Sequence, residues 1–307
     1  MKLLVTGSSG LVGSAVVAQP GYEFIKASSK DVDLRDYAQT LDFFKQNLPF
    51  DGIIHLAANV GGLFKNMRMP VEMYEDNMRM NMNVLRVAHE LGVQRVVCFL
   101  STCIFPDTPP SYPITVDMLH HGPPHPSNEG YAYAKRMTEV LCRLYQKEYA
   151  REYFCVVPTN IYGPGDNFDL KNAHVIPALI HKCWIAKRDG TPFVVAGDGS
   201  PLRQFIYSED VARLVLWAFE HYKDITKPMM VCPPDSEVSL AEVVRLIADA
   251  FEFRGEIMYD TSLPNGQHKK TSDSTSQHFV YTPLKEGIKN TVQWFLNNED
   301  SRRVHVL

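Results

Sequence analysis

Ser101, Tyr131 and Lys135, with Cys103 two places past the serine, are the residues of this chain whose types and spacing suit proton transfer. Ser101 follows the apolar run Arg95–Leu100, which reads as a buried strand. Tyr131 and Lys135 stand four apart in Tyr-Ala-Tyr-Ala-Lys, so on a helix they share one face. A phenol beside a fixed ammonium is a proton donor prepared for a carbonyl oxygen. The same spacing recurs at Tyr22/Lys26 and Tyr281/Lys285. The first pair sits in a strand-like run, where four residues span roughly 13 Å and the two groups cannot meet. The other straddles Pro283, a residue that opens helices. Only the middle pair lies in a helical pattern downstream of a strand ending in serine. The chain therefore reads as an enzyme rather than a binding module.

Elements able to hold such a group in place are visible along the first half. Lys2–Thr6, Tyr22–Ala27, Gly52–Leu56, Arg95–Leu100 and Phe154–Pro158 read as strands. Helical segments at 11–18, 37–47, 71–91 and 131–150 alternate with them, the third stopping at Gly92. This alternation predicts an α/β fold, a Rossmann-type doubly wound parallel sheet with helices on both faces. The second half is less regular. It offers helices opening near Val175, at Glu209, at the capping box Ser239-Leu-Ala-Glu242 and at Thr282-Pro283, with short strands at 193–196, 229–232 and 256–259. Residues 1–160 are expected to form the dinucleotide-binding domain, with 205–222 packing back on it. Segments 161–204 and 223–307 are expected to form a smaller mixed α/β substrate domain.

Composition narrows the function classes. The 307 residues are 45% hydrophobic and 21% charged, with net charge -4, and no long basic run is present. That argues against a nucleic-acid groove or a membrane-surface patch. No signal peptide or membrane-length apolar stretch is visible. The six cysteines are scattered without a Cys-x-x-Cys pair, which argues against a zinc site or disulfide framework and fits a reducing, cytosolic setting. Cys103 differs from the others by lying just past a strand end, where α/β proteins place ligands. His120, His121 and His125 lack ligand spacing.

The cofactor end begins at Gly7-Ser8-Ser9-Gly10-Leu11-Val12-Gly13, between the first strand and the first helix. Glycines there allow a tight turn and let the backbone approach a pyrophosphate. The end of the second strand, Lys26-Ala-Ser-Ser29-Lys30, offers hydroxyls and lysines rather than the carboxylate usual at NAD sites. It would welcome a 2′-phosphate, so NADP(H) is the expected cofactor, with Asp31 just beyond as the contrary sign. Asp33 and Leu34 are placed to reach an adenine edge.

Together these residues resemble the extended short-chain dehydrogenase/reductase family. The matches are Gly7/Gly10/Gly13, His55-Leu56-Ala57-Ala58, Asn77 and Asn83, Ser101, Tyr131/Lys135, Pro158-Thr-Asn160-Ile-Tyr-Gly-Pro164, and Arg203-Gln-Phe-Ile-Tyr-Ser-Glu-Asp210. Val60-Gly-Gly-Leu-Phe-Lys-Asn66, Ser101-Thr102-Cys103-Ile-Phe-Pro106, Gly165-Asp-Asn167-Phe168 and His174-Val175-Ile-Pro177 resemble a narrower branch. Its members use NADPH to epimerise C3 and C5 of GDP-4-keto-6-deoxy-mannose and to reduce the C4 ketone.

The resemblance implies the roles. Cys103 and His174 would be the acid–base pair for C3 and C5. Tyr131 would protonate the C4 oxygen and Ser101 would hydrogen-bond it. Lys135 would lower the Tyr131 pKa and hold the nicotinamide ribose. Leu56, Ala57, Ala58, Pro158, Asn160 and His174 would also line the cofactor site. Thr102, Asn160, Asn167, Val175, Lys182 and Trp184 would meet the substrate, with Arg203 and Lys270 on its diphosphate. On residue type alone Cys103 reads equally as a buried cysteine, His174 as a helix-capping histidine and Trp184 as a core residue. A homodimer through helices 71–91 and 131–150 is implied as well. The chain departs from the pattern after Lys270, where Thr271–Phe279 replaces a longer apolar segment, and in the unmatched tail 301–307.

Overall fold

The computed structural model describes residues 1–263, 268–274 and 279–298; the expectations for 275–278 and the tail 301–307 lie outside the described residues. In chain order the strands are β1 (Lys2–Thr6), β2 (Glu23–Ala27), β3 (Gly52–His55), β4 (Arg95–Phe99), β5 (Glu152–Pro158), β6 (Asn160–Tyr162), β7 (Phe193–Ala196), β8 (Leu202–Tyr207), β9 (Met229–Val231), β10 (Glu237–Ser239) and β11 (Ile257–Asp260). The helices are α1 (Leu11–Val17), α2 (Tyr37–Gln46), α3 (Leu63–Arg68), α4 (Pro70–Glu90), α5 (Glu129–Tyr149), α6 (Val175–Asp189), α7 (Ser208–His221), α8 (Leu240–Ala250) and α9 (Leu284–Asn297).

Six strands form one sheet in the order β2-β1-β3-β4-β5-β9, with every pairing parallel. Alternate side chains of each strand enter opposite cores, which is why these strands read as unbroken apolar runs. On one face Leu4, Ile53, Val96, Cys98 and Cys155 pack with Val84, Leu85 and Ala88 of α4 and Cys142 of α5. On the other, Leu3, Val5, Ile54, Val97 and Val156 meet Val16 of α1 and Val211, Leu214 and Val215 of α7. Met229–Val231, expected among the substrate-domain segments, pairs with β5 as the sixth strand of this sheet. Its three residues are too short for their partner to be read from pattern.

A third apolar cluster holds the rest together. Ile176, Ile180 and Cys183 of α6 pack against Val243, Val244 and Ile247 of α8 and Ile288, Val292 and Phe295 of α9. Two small sheets join it, β10-β8-β6 and β11-β7. Ser239 caps α8, accepting from the Glu242 N–H at 3.1 Å, as the capping box predicted. Among the described residues no helix is long and apolar enough to cross a membrane.

Strand order reverses between β1 and β3, and open α/β sheets bind ligands beyond the strand ends at such a point. The glycine turn after β1, the loop after β3 and the Ser101 loop after β4 all leave the sheet at that edge.

Candidate active site

The glycine turn is built for close backbone approach. Gly7 has φ +69°, and a Cβ there would lie 2.7 Å from the Ala57 nitrogen. At Gly13 a Cβ would lie 2.1 Å from the Gly7 carbonyl oxygen. The turn thus packs backbone against backbone on α1 and on the loop after β3, an approach that only glycine permits. The Thr6 hydroxyl ties this edge together by accepting from the Leu56 and Ala57 N–H groups, each at 3.2 Å. These contacts bring Gly7, Gly13, Leu56 and Ala57 together as expected.

Beyond β2 the structure gives two carboxylates partners of their own. Asp31 turns back on its own loop, accepting from the Ser28 N–H at 2.8 Å and the Ser28 hydroxyl at 2.5 Å. It therefore works as a turn cap, while Ser29 and Lys30 remain exposed. Asp33 accepts a fork from Arg35, both contacts at 2.9 Å, and Arg35 reaches Asp76 at 3.4 Å. Its carboxylate is thus engaged by a residue that the sequence reading missed. An Asp-x-Arg spacing in a turn was the available signal.

Lys135 is buried at 2% exposure, and its Nζ donates to the Phe99 carbonyl at 2.9 Å. Burial, partly opposed by the thiols of Cys98, Cys103 and Cys155, lowers its pKa to about 8. The Nζ lies 6.0 Å from the Tyr131 ring centre. Tyr131 was expected to have a lowered pKa. Burial instead pushes it well above the usual phenol value, with Cys103 adding to the rise. Removing a phenolate from water outweighs the distant ammonium here, so Tyr131 stays protonated in this state. Tyr131 and Cys103 are thus electrostatic neighbours. The Ser101 hydroxyl accepts from the Cys103 N–H at 3.4 Å, which closes the group.

Cys103 is buried at 8% exposure in the short turn Thr102–Ile104. Burial raises its pKa, opposed by Lys270, the Ser101 hydroxyl and Lys135. Arg136 holds this turn. It is buried and donates to the Ile104 carbonyl through Nε at 2.9 Å and again through Nη2. A further bond reaches the Gly122 carbonyl at 2.9 Å. Arg136 escaped the sequence reading because nothing in a helical Lys-Arg pair says which member is buried. Behind the group runs a buried chain, Thr6 Oγ1 to His55 Nδ1 at 2.7 Å, His55 Nε2 to Asn81 at 2.9 Å, and Asn81 to Thr138 at 2.7 Å. It crosses from β1 through β3 and α4 to α5. Burial and then Lys135 lower the His55 pKa to about 3, so the imidazole is neutral.

His174 is the N-cap residue of α6 but makes no side-chain cap bond, so the capping alternative fails. It is solvent-accessible yet closely surrounded by protein, and that surrounding lowers its pKa. The loop before it touches the loop after β3: a Cβ on Gly62 would lie 3.2 Å from the Ala173 carbonyl oxygen. Asn160, beyond Pro158, is exposed, with its Nδ2 donating to the Gln204 carbonyl at 2.9 Å. Arg203 and Lys270 are mutually close in charge, and Lys270 also feels Cys103 and Asp107. The shortened segment after Lys270 therefore still brings that lysine to Cys103.

Three expected substrate contacts have partners of their own. Asn167 Oδ1 accepts from the Asp169 N–H at 3.0 Å, closing its own loop. Trp184 packs on Phe295 with ring centres 5.9 Å apart, and the Arg188 guanidinium sits 4.8 Å over it. It serves the third core, as helical spacing allows. Lys182 lies near Asp260, at the end of β11.

Comparisons with known proteins agree with this geometry. Residues 3–232 match the NAD dependent epimerase/dehydratase family. The chain is 44% identical to a GDP-L-fucose synthase of Dictyostelium discoideum, over 98% of this chain and 97% of that one. It is 32% identical to the GDP-L-fucose synthase of Escherichia coli K12, over 98% of each. A crystal structure of a GDP-L-fucose synthetase from Naegleria fowleri bound to NADP superposes with a TM-score of 0.92 at 45% identity, covering 98% of this chain and 94% of that one.

Proposed function

The chain belongs to the NAD dependent epimerase/dehydratase family, and from that premise we propose that it is a GDP-L-fucose synthase. It converts GDP-4-keto-6-deoxy-D-mannose to GDP-L-fucose by epimerising C3 and C5 and then reducing the C4 ketone, a step of GDP-fucose biosynthesis. The cofactor is NADP(H), which when bound supplies the hydride for that reduction. The glycine turn that leads into the N-terminus of α1 suits its pyrophosphate, and Ser29 and Lys30 suit its 2′-phosphate.

One observation carries the finer reading: a buried thiol, Cys103, sits within the Ser101–Tyr131–Lys135 group. Ketone reduction needs only a proton donor at the carbonyl oxygen. Epimerisation beside that ketone also needs groups that remove and return carbon-bound protons. In our reading Cys103, as thiolate, removes the C3 or C5 proton from one face of the sugar, and His174, as imidazolium, delivers a proton to the same carbon from the other face; proton exchange then resets the pair for the second carbon. Ser101 and Tyr131 hydrogen-bond the C4 oxygen. That polarises the ketone, acidifies C3 and C5, and prepares Tyr131 to donate its proton during reduction. Lys135, charged below about pH 8, keeps a positive field under the phenol and reaches the nicotinamide ribose. Arg203 and Lys270 neutralise the diphosphate.

Residues 1–160 with α7 would form the cofactor domain, and the remainder most of the substrate domain. A cytoplasmic homodimer paired through α4 and α5 completes the reading. Tyr74, Met82 and Leu144 on those helices expose apolar surface that a second copy would cover. Incubation with GDP-4-keto-6-deoxy-mannose and NADPH tests the function. One NADPH is consumed per GDP-L-fucose formed. Turnover without net NADPH loss would indicate a 4-epimerase or dehydratase instead.

A further inference from the structure

We propose that Gln204 is a positioning residue of the substrate site. In this role its buried carboxamide replaces a missing strand and holds the segment that carries Lys270. The inference rests on the reading of Lys270 as a diphosphate ligand. Gln204 is 4% exposed on β8. Its Oε1 accepts from the Ser272 N–H at 2.7 Å, and its Nε2 donates to the Ser272 carbonyl at 3.1 Å. One side chain thereby makes both backbone bonds that a neighbouring strand would make.

The need for it follows from the path of the segment. Leu202 bridges Lys269 beside β8, its N–H donating to the His268 carbonyl at 2.9 Å. That bridge is isolated, and β6 pairs with β8 only from Phe205 onward. From Lys269 the segment diverges from β8 toward Ile114. The Ile114 N–H donates to the Thr271 carbonyl, and its own carbonyl accepts from the Asp273 N–H, each at 2.8 Å. The Tyr112 hydroxyl donates to the Lys269 carbonyl at 3.1 Å. Lys270 thus lies between two fixed residues. Gln204 closes the gap on the β8 side, next to Arg203. Without that clamp the segment keeps its other bonds but loses its spacing from Arg203, so the two cations no longer meet one diphosphate together.

The amide has a demanding substitute. In Q204E the ionised carboxylate would still accept from the Ser272 N–H but would face the Ser272 carbonyl oxygen with no proton to offer. Protonated, it restores both bonds. Arg203 and Lys270 nearby favour its ionised form. Burial disfavours it, as does Glu237, the register partner of position 204, whose own charge is offset by Lys269 at 3.3 Å.

The experiment measures KM for the keto-sugar, KM for NADPH and kcat, for wild type, Q204E and Q204L, from about pH 8 down to about pH 5. We expect Q204E to raise the keto-sugar KM on the order of tenfold near pH 8, with the ratio to wild type shrinking as pH falls. Q204L should raise it at every pH. NADPH KM should stay within about twofold and kcat within about threefold, since a single net hydrogen bond at the diphosphate end is at stake. A purely structural role would lower kcat and thermal stability together, without the acid rescue of KM. A Q204E keto-sugar KM equal to wild type, or an elevation that persists at low pH, overturns the proposal. Wild-type protein that fails to turn over the keto-sugar overturns the underlying reading, and the inference with it.

Discussion

The two ends of the site are held by different means. At the cofactor end the backbone does most of the holding: a parallel sheet, a glycine turn and atoms in close contact at Gly7 and Gly13. At the substrate end, long side chains hold distant backbone. Arg136 grips the Cys103 turn, Lys135 the end of β4, Gln204 the Lys270 segment and Tyr112 the same segment from the other side. Backbone fit tolerates side-chain exchange but no added volume. Side-chain clamps tolerate added volume better than loss of one hydrogen-bonding atom. The two ends should therefore fail under different substitutions and in different measured quantities.

The largest expected effect separates them at Cys103. C103S keeps the shape and the neighbours but replaces the thiol with a far weaker acid. Deuterium incorporation at C3 and C5 in heavy water should fall by about a hundredfold or more, the usual weight of a positioned acid–base group. NADPH affinity should be unchanged, because Cys103 lies outside the glycine turn. Retained exchange would assign the base to another residue. Parallel loss of NADPH affinity would break the contrast between the ends.

G13A probes the opposite end. The added methyl would sit 2.1 Å from the Gly7 carbonyl oxygen and 2.7 Å from the Ser8 Cα, both backbone atoms that no rotamer change can move. Overpacking of this kind costs roughly 1–3 kcal/mol. If the turn shifts to relieve it, NADPH affinity falls by about tenfold to a hundredfold, while exchange at C3 and C5 at saturating NADPH stays near wild type. Fluorescence titration of NADPH checks the first and deuterium incorporation the second. Wild-type affinity would mean the cofactor end is not held by backbone fit.

This contrast also explains what the sequence disclosed. β1 to β5 were legible because strands buried on both faces are written as short continuous apolar runs. Gly7, Gly10 and Gly13 were legible because local backbone geometry demands their type. That Ser101, Cys103, Tyr131 and Lys135 come together was legible from strand ends and helical spacing. β6, β8 and β10 were not read as strands, since each is short and paired with residues far along the chain. Gln204 and Arg136 were invisible as positioners. Their partners, Ser272 and Ile104, lie 68 and 32 residues away, and carbonyl and N–H groups carry no residue signature. Trp184 was open between two readings for the converse reason, because an aromatic near a site motif is also what a helix shows to a neighbouring helix. The direction of the Tyr131 pKa shift was misjudged, because desolvation depends on everything packed around the phenol.

The smallest expected effect tests whether side chains matter at the cofactor end at all. Arg35 makes a fork onto Asp33 and reaches Asp76, which resembles the clamps of the substrate end. It differs in its surroundings: the Arg35 side chain is 48% exposed and that of Asp33 40%. Water already solvates both charges well, so such a pair contributes no more than about 1 kcal/mol. R35A should therefore raise KM for NADPH by only a few-fold, less at high salt, with kcat and the keto-sugar KM unchanged. A loss beyond about thirtyfold would make Arg35 a clamp of the same standing as Gln204. The two ends would then differ in solvent exposure alone and not in how they are held.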